Sequence, residues 1–196
     1  PAGEMASTAT TAAYDDYAAL DQFAASVDVI TSEFENVPSD TMAHLAQFCP
    51  VSPGTTALHI AQHRVREKNF ARQHGILTPD FWHVTDAASL HHAMDALQGR
   101  GVLKTCQLGY DGKGQIWINP GDDLDASFAA LGSDDAILEA AVDFAAEASF
   151  LVARTADGRI AHFPASLNTH QNGILARSMA PAEINEKLVT SGQEAV

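Results

Sequence analysis

A mixed fold, α/β in its first part and two-layer α+β in its middle, is what this sequence predicts, and three observations carry the prediction. A helical apolar spacing at Tyr17, Leu20 and Phe23 or Ala24 runs directly into a β-prone segment, VDVIT, at 27–31. From residue 76 onward, apolar runs and helical stripes alternate in the order β-α-β-β-α-β. Between two of those strands lies VLKTCQLGYDGKGQIWI (102–118), two apolar runs flanking a loop with Gly109, Gly112 and Gly114, which is the pattern of a β-hairpin.

The elements follow in order. A helix from Asp15 or Asp16 leads into the 27–31 strand, and the segment SEFENVP (32–38) leaves its carboxyl end, where open α/β sheets place their ligands. Glu33 and Glu35 stand there as candidates to orient a substrate amine or hydroxyl. A short helix is expected over 41–48. A long one follows, with Thr55 or Thr56 as its cap, Leu58, Ala61 and Val65 as its apolar stripe and Gly75 as its end. Residues 76–84 should be extended around Pro79. A helix over 86–97 turns Leu90, Met94 and Leu97 inward and is closed by Gly99 and Gly101. After the hairpin come a helix around Leu124, Phe128 and Leu131, a strand at 136–139, and a pair of strands, 149–154 with 160–163, joined through Asp157-Gly158. Asn168, His170 and Gly173 then precede a polar tail that contains Pro181.

With 25 acidic against 11 basic residues and a net charge of −14, the chain lacks the basic surface that nucleic acid or an anionic membrane demands, so neither is an expected partner. Its 196 residues, 46% hydrophobic, suffice for a real core in one or two domains. Cys49 and Cys106 have no metal-type spacing and predict free thiols in a reducing cytosol; cytoplasm is the expected location, since no apolar run has membrane-spanning length. His59 and His63 lie one turn apart, but HIAQH lacks the glutamate of the zinc-protease motif, and no metal site is expected.

The chemistry-bearing stretch is the hairpin. Closely spaced glycines let backbone N–H groups approach a ligand without Cβ atoms in the way, and Lys104 and Lys113 add positive charge, so the loop is suited to an anion, phosphate above all. It is not a Walker A loop, because Gly114 is followed by Gln115 and a strand instead of Lys-Ser/Thr and a helix.

Taken together, TSEFENVP (31–38), AQHRVREK (61–68), VLKTCQLGYDGKGQ (102–115), ILEAAVDFAAEAS (137–149) and NTHQNGIL (168–175) resemble the N5-carboxyaminoimidazole ribonucleotide synthases, members of the ATP-grasp superfamily in purine biosynthesis. The likeness covers nearly the whole chain in the family's order. It implies a partial Rossmann-like pre-ATP-grasp domain followed by the first part of an ATP-grasp domain. The implied divisions are 1–55 for substrate binding, 56–83 as connecting helix and entry, 84–145 as the small lid subdomain and 146–196 as the start of the large subdomain.

The implied activity is ATP-dependent carboxylation of 5-aminoimidazole ribonucleotide with bicarbonate. The resemblance implies that Arg64 and Lys104 meet ATP phosphates beneath a loop formed by Gly109, Tyr110, Asp111, Gly112, Lys113, Gly114 and Gln115. Glu139, Ala140, Ala141, Val142 and Glu147 would hold adenine and ribose, and His170 would lie at the same nucleotide. Tyr110, Asp111 and Lys113, with Glu33 or Glu35, would lie near the ribonucleotide or a carboxyphosphate intermediate. Departures from the family pattern fall at His63, where it has Asp, and at Cys106, Gln107 and Leu108, which make the loop less cationic. The family's opening glycine-rich turn and its later magnesium-holding acids have no counterpart here. The expectation is therefore an interior fragment, inactive alone, with Mg2+ ligands outside it and a homodimer as the whole protein's oligomer. A formate-dependent ATP-grasp enzyme acting on glycinamide ribonucleotide, or a non-catalytic nucleotide-binding module, would present the same nucleotide residues.

Overall fold

A computed structural model describes residues 2–109, 113–171 and 173–196. Two compact units emerge, one comprising Pro1–Phe70 with Cys106–Leu108 and the other Ala71–Thr105 with Gly109–Val196. None of the described helices is long and apolar enough to cross a membrane.

In the first unit a single turn, α1 (Ala2–Met5), precedes α2 (Tyr17–Ala24), which starts where Asp16 accepts the Ala19 N–H at 3.1 Å. Leu20, Phe23 and Ala24 face a small core of Ile30, Val37, Met42 and Leu45. The strand expected at 27–31 reduces to one parallel bridge between Ile30 and Val51, closed by Ile30 N–H on the Pro50 carbonyl and Ser52 N–H on that of Ile30. A strand needs a ladder as well as propensity, and among the described residues this segment meets one partner position.

The next helix, α3, runs Ser39–Leu45, entered from Pro38. The single long helix expected from Thr55 is instead two, α4 (Thr55–Ala61), preceded by Gly54 without a side-chain cap, and α5 (Arg64–Gln73). The break has a tertiary cause: the Arg64 N–H donates to the Cys106 carbonyl at 3.0 Å, so it is lost to the turn before it. Gly75, at φ 77°, ends α5 as expected.

The second unit realises the β-α-β-β-α-β order: β1 (Phe81–Val84), α6 (Ala87–Leu97), β2 (Gly101–Thr105), β3 (Gln115–Ile118), α7 (Leu124–Leu131) and β4 (Ala136–Ala140). The strands form an antiparallel sheet in the order β1-β4-β2-β3. Alternation sends Val84, Leu103, Ile118, Ala136 and Leu138 to the face on which α6 and α7 lay Leu90, Ala93, Leu97 and Phe128. Gln98, at φ 51°, terminates α6, which frees Gly101 for β2; a Cβ there would come within 2.7 Å of Leu138 Cδ1.

Past Ala140 the chain forms β5 (Glu147–Ser149), β6 (Val152–Arg154), β7 (Ile160–His162), β8 (Ser166–Gln171), β9 (Ile174–Met179) and α8 (Glu186–Ala195). The expected β6–β7 pairing is present, whereas the stretch around Asn168, His170 and Gly173 and the polar tail expected after it form a strand pair, β8 with β9, and a helix capped by Asn185.

Candidate functional site

Strand register assembles the first cluster. Val102 lies opposite Glu139 and Lys104 opposite Ile137 across β2 and β4, so Lys104 and Glu139 share the sheet face turned away from α6 and α7. Lys104 Nζ donates to Glu139 Oε2 at 3.1 Å, and the carboxylate's side chain is only 9% exposed against 23% for the lysine. A carboxylate so buried requires such a partner. Glu139, expected to serve the nucleoside, is thus engaged with Lys104 in the free chain. Gln115 opens β3 directly opposite Lys104, on the same face. Trp117 follows two residues later, more than half exposed; sequence inspection assigned it no role.

The segment 139–142, which spans the end of β4, is less open than expected. Ala140 N–H donates to the Asp80 carbonyl at 2.8 Å and Ala141 N–H to that of Arg100 at 2.9 Å. These two donors are spent on the protein, which leaves Val142, among the described residues, with its N–H outside such bonds. Beyond it, Glu147 on β5 and His170 on β8 come together, Nδ1 to Oε1 at 3.4 Å, because Glu147 pairs with Asn168 and His170 lies two residues farther along the same face.

Of the glycine loop, Tyr110, Asp111 and Gly112 lie outside the described residues. Gly114 adopts φ 68°, accepts the Thr105 N–H at 2.9 Å, and leaves no room for a side chain, since a Cβ would stand 2.9 Å from Thr105 Oγ1. Gly109 is half-buried and Lys113 exposed.

In the first unit, Arg64 opens α5, half-buried and fixed through its backbone by Cys106. Glu33 and Glu35 both line a cavity of about 360 Å³ with Ser32, Thr55, Leu58 and Ala61, so the geometry admits either carboxylate. A second cavity of about 350 Å³ lies against the same loop, lined by Asn36, Asp40, His59, Gln62, Arg66 and Gln107 among others. Arg66 Nη1 approaches both His59 ring nitrogens, 2.8 Å from Nε2 and 3.1 Å from Nδ1. Gln62 was not singled out from the sequence, and no local signal could have done so, because its partners lie 25 and 27 residues away.

Residues 69–196 match the ATP-grasp domain family, and residues 1–62 match the ribonucleotide synthetase preATP-grasp domain family. The chain is 43% identical over 197 residues to the N5-carboxyaminoimidazole ribonucleotide synthase of Brucella melitensis, covering 100% of this chain and 54% of the relative. It is 45% identical over 167 residues to that of Pseudomonas aeruginosa, covering 85% and 46%. Among solved structures, an N5-carboxyaminoimidazole ribonucleotide synthetase in complex with ADP superposes with a TM-score of 0.93 at 33% identity, covering 98% of this chain and 51% of that one. The Staphylococcus aureus synthetase complexed with ADP gives 0.91 at 31% identity, with 98% and 52% covered. The chain therefore spans about half the length of the curated relatives it matches.

Proposed function

Because the chain belongs to the ATP-grasp family, we propose that it serves the ATP-dependent carboxylation of 5-aminoimidazole ribonucleotide by bicarbonate, with the nucleotide held on the second unit. The observation that carries this reading is the Lys104–Glu139 pair: a half-buried ammonium held on a rigid strand by a carboxylate, beside the segment that leaves β4 toward Val142. In water-poor surroundings such a lysine is a strong point charge for a phosphate oxygen. Its carboxylate keeps it from wandering before nucleotide arrives. The Val142 N–H is suited to a ring nitrogen of a purine, and Glu147, with His170 beside it, to ribose hydroxyls.

In this reading bicarbonate takes the γ-phosphoryl group of ATP, releasing ADP and giving carboxyphosphate, and the ribonucleotide amine, oriented by Glu33 or Glu35, attacks its carboxyl carbon and loses a proton as inorganic phosphate leaves. The protein's part is positioning and charge neutralisation. Magnesium, expected for such a transfer, is not matched by the carboxylates assigned to the nucleotide: Glu139 is committed to Lys104, and Glu147 lies against His170. The ion would be held by other residues, and a homodimer belongs to the same reading of the whole protein.

The test is ADP release by the complete protein with ATP, magnesium and aminoimidazole ribonucleotide, comparing bicarbonate with formate as the acid. Stimulation by bicarbonate is expected; stimulation by formate with glycinamide ribonucleotide would transfer the assignment to the sister reaction. Lys104→Ala should weaken nucleotide binding by about 1.5–3 kcal/mol, measured by calorimetry with the melting temperature as control.

A further inference from the structure

We propose that Gln62 is a positioning residue that holds the carboxylate-bearing loop 32–38 in place for the ribonucleotide, an inference that rests on the reading above. Gln62 caps the C-terminus of α4, its backbone N–H on the Leu58 carbonyl, at the point where the helix breaks before α5. Its side chain then does something the helix does not need. The amide nitrogen donates to the Glu35 carbonyl at 2.7 Å and to the Val37 carbonyl at 2.5 Å, so both of its hydrogens are spent on one loop.

The two accepting carbonyls are alternate residues of the segment that carries Glu33 and Glu35. Those two carboxylates line one cavity, while Asn36, Pro38 and Gln62 itself line the other. The amide thus grips the wall that separates the two cavities. The bonds within the loop are short-range: Ser32 Oγ donates to the Phe34 carbonyl, and Val37 N–H reaches that of Phe34 only at 3.5 Å. Phe34 is half exposed and anchors little, so the loop is tied to the unit by the buried Val37 side chain and by the Gln62 amide. One link is apolar and tolerant of rotation; the other is directional and fixes where the two carboxylates point.

A neutral amide is the fitting group for this task. It supplies two donors without placing a charge beside the carboxylates, whereas a glutamate would set an acceptor against two carbonyl oxygens. The same residue is followed two positions later by Arg64, whose backbone is fixed on Cys106, so loop and helix break are joined at one short stretch of chain.

The experiment compares Gln62→Leu, Gln62→Glu and Gln62→Lys in the complete enzyme, measuring KM for the ribonucleotide and for ATP separately, with melting temperature. Leucine and glutamate should raise the ribonucleotide KM by about tenfold or more and leave the ATP KM within about twofold, and lysine, which restores donors of similar reach but adds a charge beside the carboxylates, should recover only part of the loss. An unchanged ribonucleotide KM overturns the proposal. So does a parallel rise of both KM values with a lowered melting temperature, since that is the mark of a merely structural residue. If the wild-type enzyme shows no ribonucleotide-dependent ADP release, the reading of the function fails and takes this proposal with it; wild-type turnover with indifferent variants removes the role of Gln62 alone.

Discussion

Residues 81–140 and residues 147–196 are both built mainly from antiparallel strands, yet they are held together by different forces. In the first, two helices close one face of the sheet, and Leu90, Leu103, Ile118, Ile137 and Leu138 are wholly withdrawn from solvent. In the second, the ladders β5-β8-β9 and β6-β7 are formed, but Ala165 is the one buried apolar residue among those described. Leu151, Ile160, Phe163 and Leu175 remain more than half exposed. A ladder exchanges water hydrogen bonds for internal ones at small net gain, whereas each buried leucine contributes about 1.5–3 kcal/mol. The lesson is that backbone pairing defines the shape of both regions and apolar burial stabilises only one. It bears on the site as well: Lys104 and Glu139 lie on the well-packed sheet, Glu147 and His170 on the ladder without a core.

The largest effect should come from Leu103→Ala, which removes a fully buried side chain beneath both helices and should cost about 3 kcal/mol by chemical denaturation. Leu175→Ala on β9 should change stability by less than about 0.5 kcal/mol. Equal losses would show that the two regions are stabilised alike. Next, backbone amides of β2 and β4 should exchange with solvent at least about a hundredfold more slowly than those of β8 and β9, because the latter open without unfolding a core. A uniform exchange pattern across both regions would remove the distinction. Third, Gly101→Ala should destabilise by roughly 1–3 kcal/mol, since its Cβ would press on Leu138 and on the Glu139 carbonyl, both in the central strand.

The same contrast explains what could be seen in the sequence. The elements of 81–140 were legible because burial imposes a period: Leu90 and Met94 on α6, the apolar run of β4, and Asp86 at the helix start all point the same way. In β8 and β9, SLNTHQ and ILARSM bury no face, so no alternation marks them as strands in the sequence. The break between α4 and α5 was hidden for another reason. The local pattern continues through it, and the cause, the Cys106 carbonyl, lies 42 positions away from Arg64. At the candidate site, Lys104 stands out by its charge beside the glycine loop, and Glu139, Glu147 and His170 only through family likeness. That they form two pairs follows from strand register, which no local spacing encodes.

The smallest expected effect sharpens the comparison through two carboxylates, one in each region, whose pKa values lie below the usual range. Asp86 is held down chiefly by the Ser89 backbone N–H and then by its hydroxyl, at the start of the helix that covers the sheet. Asp157 is held down chiefly by the Thr155 hydroxyl, in the β6–β7 turn. For both, the folded state favours the ionised form, so the stabilisation is present above the unfolded value near pH 3.9 and is lost as pH falls through the lower folded value. Asparagine keeps an acceptor at either position but does not titrate. Across about pH 2 to 5, Asp86→Asn should therefore flatten the acid limb of the melting-temperature profile, since α6 unfolds with the core. Asp157→Asn should leave that profile unchanged and alter only local amide signals of the hairpin, because its ladder opens independently of the core. If Asp157→Asn flattens the melting profile as much as Asp86→Asn does, the two regions unfold as one cooperative body, and apolar burial is not what divides them.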